Sequence, residues 1–171
     1  MNNQFSIFNN LNLIKKKKVI RIDYLYLDLK TCDRCVGTDE VLEAVIKQLT
    51  PAFALAGYTI DYHKIEIMSE EDARTHWFLS SPTIRVNHRD ICDEIIESDC
   101  GCCGEISGRQ TDCRVFKYEG QLYEVPPKAM LAELILKYAF YHNNHKPIEN
   151  YQLPNNLKTF FEGKKQKQKK G

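Results

Sequence analysis

Val19-Ile20-Arg21-Ile22-Asp23-Tyr24-Leu25-Tyr26-Leu27, followed closely by Cys32-Asp33-Arg34-Cys35, is the stretch on which the fold turns. The first nine residues are β-branched, aromatic or aliphatic with two charged interruptions, the composition of a strand. Beyond the cysteines, Val41, Leu42, Val45, Ile46, Leu49 and Phe53 recur at the spacing of one helical face. Two cysteines three apart therefore open a helix directly after a strand. The thiolate is the reactive form of cysteine, and the unpaired N–H groups at a helix start favour it.

Working outward, the helix is expected to reach about Ala56, capped by Gly57, with Pro51 kinking or dividing it. Tyr58–Ile67 reads as a second strand. Ser69 followed by Glu70, Glu71 and Asp72 marks the start of a short helix extending to about Phe78. Thr83–Val86 reads as a third strand, Asn87-His88 as a tight turn, and Arg89–Ile91 as a short return strand. Residues 92–114 are polar and cysteine-rich. Val115–Tyr118 and Gln121–Val125 form an extra hairpin around Glu119-Gly120. Pro126-Pro127 opens a last helix with Met130, Leu131, Leu134, Ile135 and Tyr138 on one face. There is no internal repeat.

The chain has 171 residues, 43% of them hydrophobic and 27% charged, ordinary for a globular domain. Its net charge of +1 conceals an uneven distribution. Residues 1–18 carry four lysines and no acid, and residues 142–171 carry seven lysines against Glu149 and Glu162. Removing these from the totals of 24 basic and 23 acidic residues leaves 13 and 21 for residues 19–141. The expected organisation is a flexible basic leader (1–18), an acidic domain (19–141) with a cysteine-rich insert (92–125), and a mostly disordered basic tail (142–171). No apolar run approaches the roughly 18 residues needed to cross a bilayer, and the order of charges in the leader is wrong for a secretory signal. A cytoplasmic location is expected. Seven cysteines then point to redox or metal chemistry, not to a structural disulfide framework.

The order strand, CxxC, helix, strand, helix, Ser-Pro-Thr, strand, strand, helix resembles the thioredoxin/glutaredoxin superfamily. Cys32-x-x-Cys35 and Ser81-Pro82-Thr83 carry the resemblance. It implies a central mixed four-stranded sheet flanked by helices, here with the insert and extra hairpin before the last helix. It also implies a cis-proline at Pro82 beside the CxxC. The turn that follows the third strand is closer to a glutaredoxin than a thioredoxin. With the CGCCG segment, the chain looks most similar to a thioredoxin-like family known only as a domain of unknown function. Where thioredoxins carry Trp before the first cysteine and Gly-Pro between the two, this chain has Thr31 and Asp33-Arg34. The buried acid six residues before the first cysteine is replaced by Tyr26, and Asp28 is the residue expected to stand in for it.

The resemblance implies a thiol–disulfide oxidoreductase in which Cys32 attacks and Cys35 resolves, acting on a thiol or disulfide protein or a small thiol, with no cofactor required. Thr31, Arg34, Ser81, Pro82 and Thr83 are the expected substrate-binding residues, the backbone of Ser81 pairing with an incoming peptide. Five further cysteines lie in the insert, at Cys92, Cys100, Cys102, Cys103 and Cys113, and by the glutaredoxin comparison fall near Cys32. Three readings stand for them: a thiolate site for zinc, copper or another thiophilic metal or metalloid such as arsenic or mercury, a relay that resolves a mixed disulfide on Cys32, or a structural staple. The metal reading takes Cys100, Cys102, Cys103 and Cys113 as ligands, with His88 the one histidine retained as a candidate. Trp77, Tyr24 and Tyr26 are expected in the core or on a sheet face. The lysine tails are expected to be solvated, with no specific nucleic acid partner and no membrane. Oligomeric state is not readable from the residues.

Overall fold

A computed structural model of the chain describes residues 18–141 and 150–170. The leader expectation, save Lys18, and residues 142–149 of the tail lie outside the described residues. Strand β1 (Lys18–Tyr26) leads through a short loop into helix α1 (Asp33–Leu55), which returns the chain to β2 (Tyr58–Glu66). Helix α2 (Glu70–Thr75) follows, then β3 (Thr83–Val86) and β4 (Arg89–Asp90). The insert contains β5 (Ile96–Asp99), α3 (Gly101–Ser107), β6 (Asp112–Tyr118) and β7 (Gln121–Tyr123); α4 (Lys128–Ala139) and α5 (Asn155–Lys170) complete the chain.

The main sheet has the order β2-β1-β3-β4. β1 and β2 are parallel, as a helical crossover requires, while β1–β3 and β3–β4 are antiparallel. The tight turn before β4 has Asn87 and His88 both at positive φ, the pairing that matches strand twist in a two-residue hairpin. The insert forms a second, antiparallel sheet, β5-β6-β7. This mixed α/β architecture is compatible with a thioredoxin-like fold.

Alternation along β1 divides the interior in two. Ile20, Ile22 and Tyr24 meet Leu42, Val45 and Phe53 of α1 and Leu131, Ile135 and Tyr138 of α4 on one face. Leu25 and Leu27 belong to the other core, with Ala73 and Phe78, the cysteines of α3 and β6, and Leu157, Phe160 and Phe161 of α5. Ser69 caps α2 by accepting the Asp72 N–H at 3.1 Å. Gly57, at φ +81°, follows the end of α1. The last helix of the expected pattern begins after Pro127 and buries Met130, Leu131, Ile135 and Tyr138.

Several expectations need correction. The tail is not disordered over Asn155–Lys170: Leu157, Phe160 and Phe161 fall at i, i+3 and i+4 and bury one face of α5, although lysines dominate its composition. Pro51 does not divide α1, because it lies within the last turns, where few hydrogen bonds remain to be lost. The second helix stops at Thr75, and Trp77 sits at φ +47° with its ring 44% exposed, so it is not core. Tyr24 is fully buried and stacks on Tyr26. The insert is more regular than its polarity predicts, since β6 begins at Asp112, three residues before the expected hairpin.

Candidate functional site

Two loops between a strand and a helix converge on one point. Cys32 is the N-cap residue of α1, with Cys35 one turn further on. Cys100 is the N-cap residue of α3, with Cys103 one turn further on. Each pair is a C-x-x-C opening a helix, and the helical repeat of about 3.6 residues places both members of a pair on the same side. The Sγ atoms of Cys32, Cys100 and Cys103 all lie within 4.8 Å of one another, and all three residues are buried. Cys103 Sγ is 3.9 Å from Cys32 Sγ, and Cys113 Sγ, from β6, is 3.3 Å from Cys103 Sγ. All seven cysteines are free thiols.

Asp28 shapes the loop before Cys32. Its Oδ1 accepts the N–H groups of Lys30, Thr31 and Cys32 and the Thr31 hydroxyl, at 2.6–3.2 Å. It therefore holds the turn and does not face Cys35 as a buried acid. Cys35 instead lies 3.4 Å from the Ser81 hydroxyl, which also accepts the Leu27 N–H at 3.1 Å. The Tyr24 hydroxyl donates to the Cys35 carbonyl at 2.7 Å.

Arg34 ties the motif to the insert. Its guanidinium, only 5% exposed, donates to the carbonyls of Cys113 at 3.0 Å and Asp99 at 3.1 Å, with longer bonds to Ser98 and Arg114 and an ion pair with Glu124. A fixed cation thus lies beside Cys100 and Cys113.

The thiols differ in proton affinity. Cys100 is held far below an ordinary thiol because the S–H groups of Cys103, then Cys113 and Cys32, donate to it, against the cost of burial. Cys32 is pushed up, first because its proton serves Cys100, and Cys103 is pushed up for the same reason. Cys35 is pulled down to about 7, first by Cys32, against burial, with help from the Ser81 hydroxyl and the backbone of Asp28 and Leu27. Within this hydrogen-bonded group the lowered proton affinity falls on Cys100, the acceptor of its neighbours' S–H groups.

The expected residues are distributed as follows. Cys32, Cys35, Cys100, Cys103 and Cys113 share one core. Cys102 is half-exposed and outside the trio, because one residue before Cys103 is about 100° around a helix. Cys92 lies apart; burial, then Asp90, pushes its thiol up to about 11. His88 is exposed and has its Nδ1 3.9 Å from Asp23, so it is no ligand in this arrangement. Four of the five expected substrate-binding residues, all but Pro82, make hydrogen bonds within the chain. Thr31 is exposed but bonded to Asp28, and Arg34 is committed to the insert. The Ser81–Pro82 bond is cis, yet Ser81, Pro82 and Thr83 are buried. The Ser81 carbonyl accepts the Arg114 N–H of β6 at 2.7 Å. Strand β6 thus occupies the position foreseen for an incoming peptide. The sequence placed the insert thiols near Cys32, as found, but left Cys32 out of the four named ligands; the second C-x-x-C, spelled by Cys100 and Cys103 inside CGCCG, was the signal that went unread.

A protein built this way is a cysteine-centred α/β domain. The chain belongs to DUF2703, a domain-of-unknown-function family whose model matches residues 20–135, from β1 into α4. Helix α5 lies beyond that match. No curated protein and no solved structure matches the chain. Among the described residues, no helix is long and apolar enough to cross a membrane.

Proposed function

We propose that the protein has a thioredoxin-like fold in which two C-x-x-C motifs build a thiolate site for a soft metal or metalloid ion. The observation that carries this reading is the buried trio Cys32, Cys100 and Cys103, with all Sγ atoms within 4.8 Å. A tetrahedral or trigonal ion at a metal–sulfur distance of about 2.3 Å needs sulfurs roughly 3.8–4 Å apart. The Cys32–Cys103 separation of 3.9 Å fits that need. Cys113 touches Cys103 but stands outside the trio, so it borders the site. Three thiolates and a divalent ion leave one negative charge, which the Arg34 guanidinium is placed to balance. Burial excludes hard, strongly hydrated ions and favours polarizable ones. We carry the cytoplasmic expectation into this reading, since free thiols persist where the medium is reducing.

The test is metal content and thiolate-to-metal charge-transfer absorption after reconstitution with cadmium(II). One ion per chain is expected, lost in Cys103→Ser and Cys32→Ser and kept in Cys102→Ser. Equal loss in all three, or none in any, would sink the proposal.

A second reading, the thiol–disulfide oxidoreductase, is favoured by the contact of Cys113 and Cys103 at 3.3 Å. Two such thiols reduce one substrate disulfide by forming a bond between themselves and releasing two thiols, the electrons and protons passing to the substrate sulfurs. In this chain Cys103 and Cys113 would form that bond, whereas the sequence expectation gives attack to Cys32 and resolution to Cys35. A reduction potential measured on metal-free protein separates the two readings.

A further inference from the structure

The sulfur centre is sealed on most sides. Cys32 and Cys103 have no exposed surface, and Leu157, Phe160 and Phe161 of α5 belong to the same core. Alongside α3, however, lies a broad open depression of about 540 Å³, and Cys100, itself 3% exposed, is among the residues that line it. Cys32, Cys103 and Cys113 do not line it. Gly101, Gly104 and Gly108 are also among its lining residues. A Cβ placed on Gly101 would meet nothing within 4 Å. Glu105 and Arg109 supply charges at its edge, and Arg109 is itself steadied at 2.9 Å by Glu162 and at 3.0 Å by Gln166 of α5.

The volume bears on what enters. A water takes about 30 Å³, whereas small-molecule sites run from roughly 300 to 1,000 Å³. A bare ion needs no such room, but a small peptide thiol does, and cells keep soft ions bound to thiols because free thiolates outcompete water for them.

We propose that this depression is the entrance to the sulfur centre, that it receives a soft ion carried on a small thiol, and that Cys100 is the first protein sulfur to take the ion over. The inference rests on the metal-site reading above. The step is a ligand substitution. A bond forms between Cys100 Sγ and the ion, the bond from the ion to the carrier sulfur breaks, and the carrier leaves with the electron pair of that bond. Cys100 enters as a thiolate and the first carrier departs as one, while the protons of Cys103 and Cys32 pass to the carrier sulfurs that those two displace. No electrons change hands. Cys103 and Cys32 then displace further carrier ligands from within.

The test uses the full chain and cadmium(II), supplied either as the aqua ion or as its glutathione complex, with uptake followed by stopped-flow absorbance of the thiolate-to-metal band. Gly101→Leu fills the depression without touching a thiol. It should slow transfer from the glutathione complex about tenfold or more while leaving the final stoichiometry unchanged and aqua-ion uptake within about twofold. Gly101→Ala, a smaller intrusion, should fall between and serves if the leucine variant is poorly folded. Unchanged transfer in both variants, or equal slowing of both forms of cadmium, overturns the entrance. Wild-type protein that takes up cadmium from neither source overturns the metal site itself, so the two failures are distinct.

Discussion

At Cys102 and Cys103, one peptide bond separates a half-exposed thiol from a fully buried one. Only the second points into the centre, which makes the pair an internal control for every thiol-directed experiment. Asp28 acts on the same centre from a distance, by fixing the loop that delivers Cys32. Burial opposes its charge, but the Thr31 and Lys30 N–H groups, the Thr31 hydroxyl and the Cys32 N–H together hold its carboxyl below the usual range. A carboxylate with a depressed folded pKa adds stability above its unfolded value, near about 4, and loses it as pH falls through the folded value. Wild-type stability to urea should therefore drop more between about pH 5 and pH 3 than that of Asp28→Asn, which has no charge to lose. Equal drops in the two proteins would remove Asp28 from the account. At this scale much was legible. Cys32-x-x-Cys35, the Ser81–Pro82 step and the Ser69 cap are local signals with local causes. The split between Cys102 and Cys103 was hidden, because adjacent cysteines read as one cluster until the start of α3 sets their directions.

Helix α5 is the element that sequence patterning gave up most readily, and its docking explains why. Lysines dominate its composition, and its apolar stripe of Leu157, Phe160 and Phe161 is only three residues wide. That stripe closes over the cysteine core, and burial of each phenylalanine contributes about 1.5–3 kcal/mol. Gly163 permits the close approach. A Cβ there would collide with the Ser107 carbonyl oxygen of α3 and crowd the Arg109 side chain at 3.2 Å. Gly163→Val should push α5 off α3 and speed alkylation of the buried thiols under native conditions, as peptide mass mapping would read. Phe161→Ala should lower unfolding free energy by about 4 kcal/mol through the cavity it leaves. Labelling rates that do not change in either variant would mean that α5 is no cover. Strand β5 and the first three residues of β6 escaped notice for a related reason. β5 is short and polar, and its pairing with β6 and the bond from Arg34 to the Asp99 carbonyl do not show in a periodicity.

For the whole molecule, the main sheet was readable from the alternation of β1 and the helical face of α1. The nearness of the insert cysteines to Cys32 came from the glutaredoxin comparison, whereas the particular contact of Cys103 with Cys32, 71 residues apart, shows in no local pattern. An ion held by sulfurs from both segments would stabilise the assembled chain alone. At a hundredfold excess over its dissociation constant this is worth about 2.7 kcal/mol, or on the order of 5–10 °C in melting temperature. Differential scanning calorimetry with cadmium(II) should show that rise in wild type and Cys102→Ser and not in Cys103→Ser. A rise that survives Cys103→Ser would place the ion elsewhere.

The hydrogen bond from the Arg114 N–H to the Ser81 carbonyl has a kinetic meaning of its own. A segment on the same chain rivals any visitor at an effective concentration in the millimolar range, on the order of what short tethers supply. A free extended peptide at micromolar levels therefore loses this contest by a large factor. With β6 in place, an extended peptide could reach the Ser81 carbonyl only after Arg114 had let it go.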